Sequence, residues 1–276
     1  MTKPKTKGEL LRTGYRVLPV KEEIRRNLIR KMRTGDRLFP GVIGYDRTVI
    51  PQVQNALLAG HDLIFWGERD QGKSRLIRGI KDLLYEEIPA VAGCEINDDP
   101  FNPICRVCKE RASKEGDDLE VVWLPRDARF ADKVATPDIT MMDLIGDIGP
   151  IKVAEGRYLS SELVIHWGLI PRVNRGIFCI SELPDLPERL QVALFNILEE
   201  RQIQVKGFKV SLPLDLLVAA SVNPEDYTNR GRIVTPLKDR FRSQIRTHYP
   251  LTNADEIEIV EQEATPFKAE DIGANL

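Results

Sequence analysis

The chain has 276 residues, of which 42% are apolar and 30% charged, a composition typical of a globular protein with a sizeable core. Forty basic and forty-two acidic residues give a net charge of -2, which argues against a surface coated in positive charge for nucleic acid. No apolar run reaches the roughly eighteen residues that span a membrane, and no apolar stretch follows the basic start to make a signal peptide. We therefore expect no membrane span and a cytoplasmic location. The four cysteines are then expected to be mostly reduced thiols or metal ligands rather than structural disulfides.

Helical and strand-like patterns alternate along the chain. In chain order they predict helix 8–34, helix 47–59, strand 62–66, helix 74–88, strand 121–124, strand 176–180, helix 188–200, a hairpin over 202–212 and strand 216–220. Residues 89–118, rich in Pro, Gly, Asn and Cys, are interpreted as an irregular insertion. This alternation favours a parallel sheet covered by helices on both faces.

The strongest motif follows the first predicted strand. Residues 67–74 read GERDQGKS and fit the pattern G-x-x-x-x-G-K-[ST], with an amphipathic helix after them. The glycines let backbone N–H groups converge on phosphate oxygens at a helix N-terminus. We therefore expect Lys73 to reach the β- and γ-phosphates of a nucleotide and Ser74 to bind Mg²⁺.

A phosphate loop needs a second strand that delivers an acid beside the metal. Strand 176–180 ends at Ser181 and Glu182, and Glu182 is predicted to orient and deprotonate the attacking water. The usual pair at this point is Asp-Glu, and Ser181 stands in the place of the Asp. A serine hydroxyl can hold a metal-bound water but adds no charge, so we expect weaker Mg²⁺ affinity or slower turnover.

Two further polar residues follow in order. Asn223 comes at the carboxyl end of strand 216–220, where α/β sheets bind ligands, and is expected to orient the water. Arg240 is a candidate for a finger that stabilises the γ-phosphate of a neighbouring subunit. From the residues alone a solvated arginine is an equal interpretation, and three nearby arginines are rivals: Arg232, Arg242 and Arg246.

Three cysteines lie in the insertion. Cys94 and the pair Cys105-x-x-Cys108, with Asp98 and Asp99 nearby, are compatible with Zn²⁺, with a redox-sensitive thiol pair or with ordinary reduced cysteines in a loop. One C-x-x-C is a modest signal, and structural zinc requires four ligands.

Together these motifs resemble the AAA+ ATPases of the magnesium-chelatase subunit I and MoxR-like branch, from about Phe39 to Tyr249. Residues 39–44 look like the family's adenine-side segment, and residues 144–156 look like its helix-2 insertion. Residues 168–177 are similar to the segment that leads into the Walker B strand, and residues 202–212 look like the hairpin before sensor 1. Asn223 falls at sensor 1 and Arg240 in the Leu-x-Asp-Arg-Phe context of the arginine finger. The cysteine-bearing insertion is also similar to one in chelatase I subunits.

The resemblance implies a P-loop NTPase with a three-layer α/β/α core, ATP and Mg²⁺ as cofactors, and a homo-oligomeric ring, commonly a hexamer. Hydrolysis would remodel a protein partner, often one with a von Willebrand A domain; nucleic acid is not an expected partner. The predicted nucleotide-binding residues are Val42, Ile43, Gly67, Asp70, Gln71, Gly72, Lys73, Ser74 and Arg75, and the Mg²⁺ residues are Ser74, Ser181 and Glu182.

Charge and length divide the chain into three parts. Residues 1–37 carry twelve basic and four acidic residues and are interpreted as a helical N-terminal extension; 38–250 form the ATPase core with its insertion at about 89–118. Residues 251–276 are an acidic tail or the start of a truncated lid, because the family's helical lid should follow Tyr249.

The functional alternative to a motor is a nucleotide-gated assembly scaffold that hydrolyses ATP weakly because of Ser181.

Overall fold

A computed structural model describes residues 3–148, 165–203, 212–225 and 231–264. Over these residues the α-helices are α1 (Lys7–Arg12), α2 (Val20–Thr34), α3 (Val49–Leu58), α4 (Lys73–Lys81), α5 (Arg106–Glu115), α6 (Met141–Leu144), α7 (Leu169–Arg172), α8 (Glu188–Glu200), α9 (Thr235–Arg240) and α10 (Asn253–Glu263). The strands are β1 (Leu63–Trp66), β2 (Glu87–Val91), β3 (Val121–Pro125), β4 (Phe130–Val134), β5 (Gly146–Ile148), β6 (Ile165–Trp167), β7 (Gly176–Ser181), β8 (Gln202–Ile203), β9 (Leu212–Pro213), β10 (Leu216–Val222) and β11 (Ser243–Arg246).

Five parallel strands form the central sheet in the order β11-β1-β10-β7-β4. Every residue of β7 and β10 is buried, because helices cover both faces. One face, with Phe65, Cys179 and Ala219, packs on α2, α3 and α4. The other, with Phe178 and Val218, packs on α7 and α8. This three-layer arrangement confirms the predicted fold class.

The predicted elements require four corrections. Helix 8–34 is two helices, because Gly14 adopts φ 72° and Pro19 precedes the start of α2. Helix 74–88 ends at Lys81, and residues 87–91 are a strand that pairs antiparallel with β3 outside the central sheet. The insertion is not wholly irregular, since it contains α5. Finally, β4 and β11 were missed: both are short edge strands with polar residues, which lack the apolar run of a central strand.

The N-terminal segment 1–37 contributes α2 to the core. Val20, Ile24 and Leu28 are buried in the same cluster as α4. Next to them Glu23 forms a fully buried ion pair with Arg129, with N–O distances of 2.9 and 2.6 Å. Arg129 also donates to the backbone carbonyl of Arg175, the residue before β7. The ion pair therefore connects α2 to the base of the strand that ends at Glu182.

Three expected family features are described in part. The bases of the hairpin over 202–212, β8 and β9, pair antiparallel, while residues 204–211 lie outside the described residues. The helix-2 insertion at 144–156 begins in β5, which pairs with β6, and residues 149–164 likewise lie outside. The segment from 251 onward begins with α10, which contacts the adenine-side segment: Gln262 donates to the carbonyl of Gly41 at 3.1 Å. Within the described part of the chain, every helix is too short or too polar to cross a bilayer.

Candidate active site

The segment Gly67–Ser74 forms the turn between β1 and α4. Asp70 and Gly72 both adopt left-handed backbone, with φ 61° and 67°, and these reversals bring the chain back to the helix start. No side chain caps α4, and its first intrahelical bond runs from the amide of Leu76 to the carbonyl of Gly72. The amides of residues 73–75 thus form an uncapped helix N-terminus, which is the arrangement that binds phosphate.

Three residues of the loop keep it tightly folded. A Cβ at Gly67 would overlap the side-chain oxygens of Thr247 and Gln71, so only glycine fits there. Gln71 is buried and accepts hydrogen bonds from the Thr247 hydroxyl at 2.7 Å and the Glu68 amide at 3.1 Å. The Lys73 ammonium donates to the carbonyls of Gly67 and Glu68 at 2.6 and 2.5 Å, so it lies folded over the loop.

The loop borders a cavity of about 770 Å³ at the carboxyl ends of β1, β7 and β10. A cavity of this size is typical of small-molecule and cofactor sites. All the predicted nucleotide-binding residues except Gly67 line it, together with Glu182: Val42, Ile43, Asp70, Gln71, Gly72, Lys73, Ser74 and Arg75. The helix α10 adds Ile259 and Glu263, and Glu263 pairs with Arg75 at 2.7 Å. The segment beyond Tyr249 therefore helps to build the cavity.

Several lining residues escaped the sequence interpretation. The Tyr45 hydroxyl lies within hydrogen-bond distance of two backbone carbonyl oxygens, that of Gln71 at 2.8 Å and that of His248 at 2.7 Å, and its ring meets that of His248 edge to face. Burial raises the pKa of Tyr45, so the hydroxyl remains a donor at neutral pH. Arg78 lies one helical turn after Ser74 and adds a positive charge to the wall. Neither residue belongs to a recognisable sequence motif, because each reaches the cavity only through the folding of the chain.

Glu182 enters the cavity directly after β7. Its backbone has φ 56°, which is uncommon for a residue other than glycine and is typical of functional turns. The Glu182 amide donates to the hydroxyl of Ser221, the next-to-last residue of β10, at 3.3 Å. Glu182 and Ser221 both line the cavity opposite Lys73 and Ser74. The structure thus brings the predicted acid together with the phosphate loop.

Ser181 has an acidic partner that sequence reasoning missed. The Ser181 hydroxyl donates to a carboxylate oxygen of Asp132 at 3.2 Å. Asp132 lies on β4, in register with Cys179, so it projects on the same sheet face as Ser181 and α4. Neither residue lines the cavity itself. A carboxylate therefore lies beside the position where the family pattern has Asp, supplied by the adjacent strand.

Asn223 and Arg240 are not among the residues that line the cavity. Asn223 is fully buried at the end of β10, and its amide oxygen accepts from the Glu225 amide at 3.1 Å. Arg240, at the end of α9, is 43% exposed. Its side chain pairs with Glu199 at 2.6 Å and lies over the ring of Phe195. Their catalytic roles remain predictions.

The residues present fit a Mg²⁺ nucleotide. Mg²⁺ is bound in proteins by one or two carboxylates together with phosphates and water. Ser74 and Glu182 offer one hydroxyl and one carboxylate to the cavity, and the Ser181–Asp132 pair lies behind its lining. The uncapped N-terminus of α4 fits the phosphates.

The three insertion cysteines lie together. One ligand atom from each of Cys94, Asp98, Cys105 and Cys108 lies within 4.8 Å of all the others. Of the two acids near the cysteines, the structure brings Asp98 to them. Cys179 is separate: it is a core residue buried in β7, and this burial raises the pKa of its thiol.

Comparisons with known proteins agree with this geometry. A magnesium-chelatase subunit ChlI homolog from Methanocaldococcus jannaschii is 26% identical over 240 residues, covering 81% of this chain and 58% of that protein. The magnesium-chelatase subunit ChlI of Nostoc sp. is 27% identical over 229 residues, with the same coverage. The chain is thus similar to the magnesium-chelatase subunit I branch of the AAA+ proteins.

Two further similarities concern the AAA+ fold. The Sigma-54 interaction domain family matches residues 154–244, about a third of the chain. A solved chain of the complex between subunits BchI and BchD of magnesium chelatase has a TM-score of 0.56 at 19% identity, covering 85% of this AAA+ chain and 68% of the other. The AAA+ chain spans just over half of the length of the curated relatives it matches.

Proposed function

We propose that this chain binds Mg²⁺-ATP and hydrolyses it as a ring-forming AAA+ motor that remodels a protein partner. The observation that carries the proposal is the position of Glu182, which lines one cavity with Lys73 and Ser74. An acid facing a phosphate loop is the minimum arrangement for attack of water on a γ-phosphate. The match to chelatase I subunits supports the same chemistry.

Each residue has a defined task in this mechanism. The backbone amides of 73–75 hold phosphate oxygens, and Lys73 leaves the carbonyls of Gly67 and Glu68 to contact the β- and γ-phosphates. Glu182 accepts the proton of the attacking water, held in place by the bond between its amide and Ser221. When bound, Mg²⁺ neutralises charge on the phosphate oxygens.

Arg240 is proposed to complete the site of a neighbouring copy. It is exposed at the end of a helix, and Glu199 holds its guanidinium at the surface. An arginine supplied in trans is worth about 10³–10⁵ in hydrolysis rate in related nucleotide sites. Hydrolysis by a dilute chain should then be slow and should rise with chain concentration.

ATP hydrolysis measured against protein concentration with Mg²⁺ tests the motor. We expect specific activity to climb with concentration in the wild type. Lys73→Ala should abolish nucleotide binding, Glu182→Gln should bind ATP without hydrolysing it, and Arg240→Ala should bind ATP but lose the concentration-dependent rise. Arg25→Ala, a change to an exposed arginine on α2 that is not a candidate for the finger, is the control and should behave as wild type. Activity that is independent of concentration would contradict the trans role of Arg240.

The scaffold alternative depends on Ser181, and the structure offers a way to separate it from the motor. The Asp132 carboxylate lies next to the Ser181 hydroxyl, so it can orient the water shell of the metal in place of the missing Asp. If it does, Asp132→Asn should weaken Mn²⁺ binding to the nucleotide complex, measured by electron paramagnetic resonance, while metal-free ATP binding is retained. If Asp132→Asn leaves Mn²⁺ affinity unchanged and Ser181→Asp raises turnover steeply, the scaffold interpretation holds.

The partner is proposed from the resemblance to chelatase I subunits and from the complex in which one similar chain was solved. A chain similar to this one has been solved in a complex of two chelatase subunits, BchI and BchD. We propose a ring, with a hexamer as the family's common size, that acts on a protein partner with a von Willebrand A domain. Co-purification of the ATP-locked Glu182→Gln ring with such a domain, and its loss with Lys73→Ala, is the test.

A further inference from the structure

The four side chains Cys94, Asp98, Cys105 and Cys108 form a compact polar cluster away from the nucleotide cavity. Their ligand atoms lie within 4.8 Å of one another. Tetrahedral Zn²⁺ with Zn–S bonds of about 2.3 Å keeps its sulfur ligands about 3.8 Å apart. The cluster therefore needs a contraction of about 1 Å at most to surround one ion.

Asp98 supplies the second, independent observation. Its side chain is fully buried, and its carboxylate oxygen Oδ1 has no hydrogen-bond partner among the described residues. The other oxygen, Oδ2, accepts from the Cys105 amide at 3.0 Å, which fixes the carboxylate against the cysteines. A buried carboxylate oxygen without a partner costs free energy unless a cation binds it. The neighbouring Asp99 has a different role, since its carboxylate accepts from the Phe101 amide.

The backbone around the sulfurs is arranged as for metal-bound thiolates. The Asp98 amide points at the Cys94 sulfur at 3.4 Å, and the Cys108 amide points at the Cys105 sulfur at 3.3 Å. Cys105 is the N-cap of α5, and Cys108 lies in the first turn of that ten-residue helix. A helix N-terminus and amide donors both stabilise negative sulfur.

The cysteine cluster joins the two ends of the segment between β2 and α5. Cys94 follows β2, whereas Cys105 and Cys108 begin α5, and these segments pack on the main core through Ile96 and Leu119. The same loop is attached to the start of β7: Asn174 donates to the carbonyl of Ile96 at 3.2 Å, and Arg175 donates to the carbonyl of Pro89 at 2.8 Å. A bound ion would therefore fix the insertion against the strand that delivers Glu182.

We propose that Cys94, Asp98, Cys105 and Cys108 bind one structural Zn²⁺ through three sulfurs and one carboxylate oxygen. The four ligands fill a closed tetrahedral site, as structural zinc requires, and three sulfurs favour zinc over Mg²⁺ or Ca²⁺. The proposal selects Zn²⁺ binding from the three interpretations of the cysteines. It does not depend on the ATPase activity of the chain.

Metal analysis of the full 276-residue chain tests the site without any nucleotide. We expect one zinc per chain after purification under reducing conditions. Replacement by Co²⁺ should give the d–d bands of a tetrahedral ion together with thiolate charge-transfer absorption. A chain that retains no zinc and gives only the weak bands of octahedral Co²⁺, or that oxidises to a Cys105–Cys108 disulfide with no loss of bound metal, overturns the proposal.

Variants assign the ligands. Asp98→Asn should weaken Co²⁺ affinity at least tenfold, and Cys105→Ser should remove part of the charge-transfer band. Asp99→Asn changes the adjacent acid and should leave affinity within twofold of the wild type. If Asp98→Asn and Asp99→Asn bind Co²⁺ equally well, the carboxylate of Asp98 is not a ligand. The Co²⁺ spectrum of the wild-type chain keeps the test decisive even if a cysteine variant fails to fold.

Discussion

The buried pair of Glu23 and Arg129 permits a quantitative prediction for Glu23→Gln. Both side chains are at most 2% exposed and meet in two N–O contacts of 2.9 and 2.6 Å. Glu23 also accepts from the Tyr85 amide. Gln is nearly isosteric but removes the negative charge, so Arg129 remains buried with a neutral partner.

The magnitude follows from desolvation. Removing one partner of a buried ion pair costs about 3–5 kcal/mol, because the remaining charge stays out of water. Domains of this kind have a total stability of about 5–15 kcal/mol, so the loss is a large fraction of it. At about 2–4 °C per kcal/mol, the melting temperature should fall by roughly 6–20 °C.

Urea unfolding followed by circular dichroism, without nucleotide, measures the change. The control is Glu22→Gln: Glu22 is exposed and pairs with Arg26 within one helix, so its loss should cost at most about 0.5 kcal/mol. The double variant Glu23→Leu/Arg129→Met should recover part of the stability, because it leaves no buried charge, although the Tyr85 amide and the Arg175 carbonyl lose these partners. A loss of less than about 1 kcal/mol for Glu23→Gln, or no recovery in the double variant, would refute the reasoning.

Three further changes test the cavity and the core. Gly67→Ala should lower the affinity for a fluorescent ATP analogue at least tenfold, because the new Cβ overlaps the side-chain oxygens of Thr247 and Gln71; unchanged binding would contradict the loop geometry. Tyr45→Phe removes the donor to Gln71 and His248 and should cost about 1–3 kcal/mol of stability in urea unfolding, with nucleotide affinity reduced as well. Burial raises the pKa of Asp215, so ionisation opposes folding. The stability of the wild type relative to Asp215→Asn should therefore fall as pH rises above the unfolded value of about 3.9, and a rise over that range would show the opposite sign.

The parts of the site that could be predicted from the sequence are those formed by residues close together along the chain. The residues 67–74 form one continuous turn, and Glu182 directly follows an apolar strand, so pattern and spacing were enough to predict their shared cavity. The central strands were found for the same reason, since burial on both faces requires unbroken apolar runs. The edges were missed: β4 and β11 have one neighbour each and tolerate polar residues.

The missed edge strand explains why the acid beside Ser181 was also missed. Asp132 becomes its neighbour only through the register that aligns Asp132 with Cys179, and register is a property of two paired segments 47 positions apart in the chain. Sequence reasoning therefore saw a lost charge at Ser181, whereas the sheet places a carboxylate 3.2 Å from its hydroxyl. The same principle applies to the cysteine cluster. From their spacing alone, Asp98 and Asp99 were equally good candidates for a metal ligand, and in the fold it is Asp98 that lies beside the cysteines. The loss of a charged residue from a motif therefore describes only the segment that contains the motif. The total charge at the site also depends on side chains from every strand that packs beside that segment.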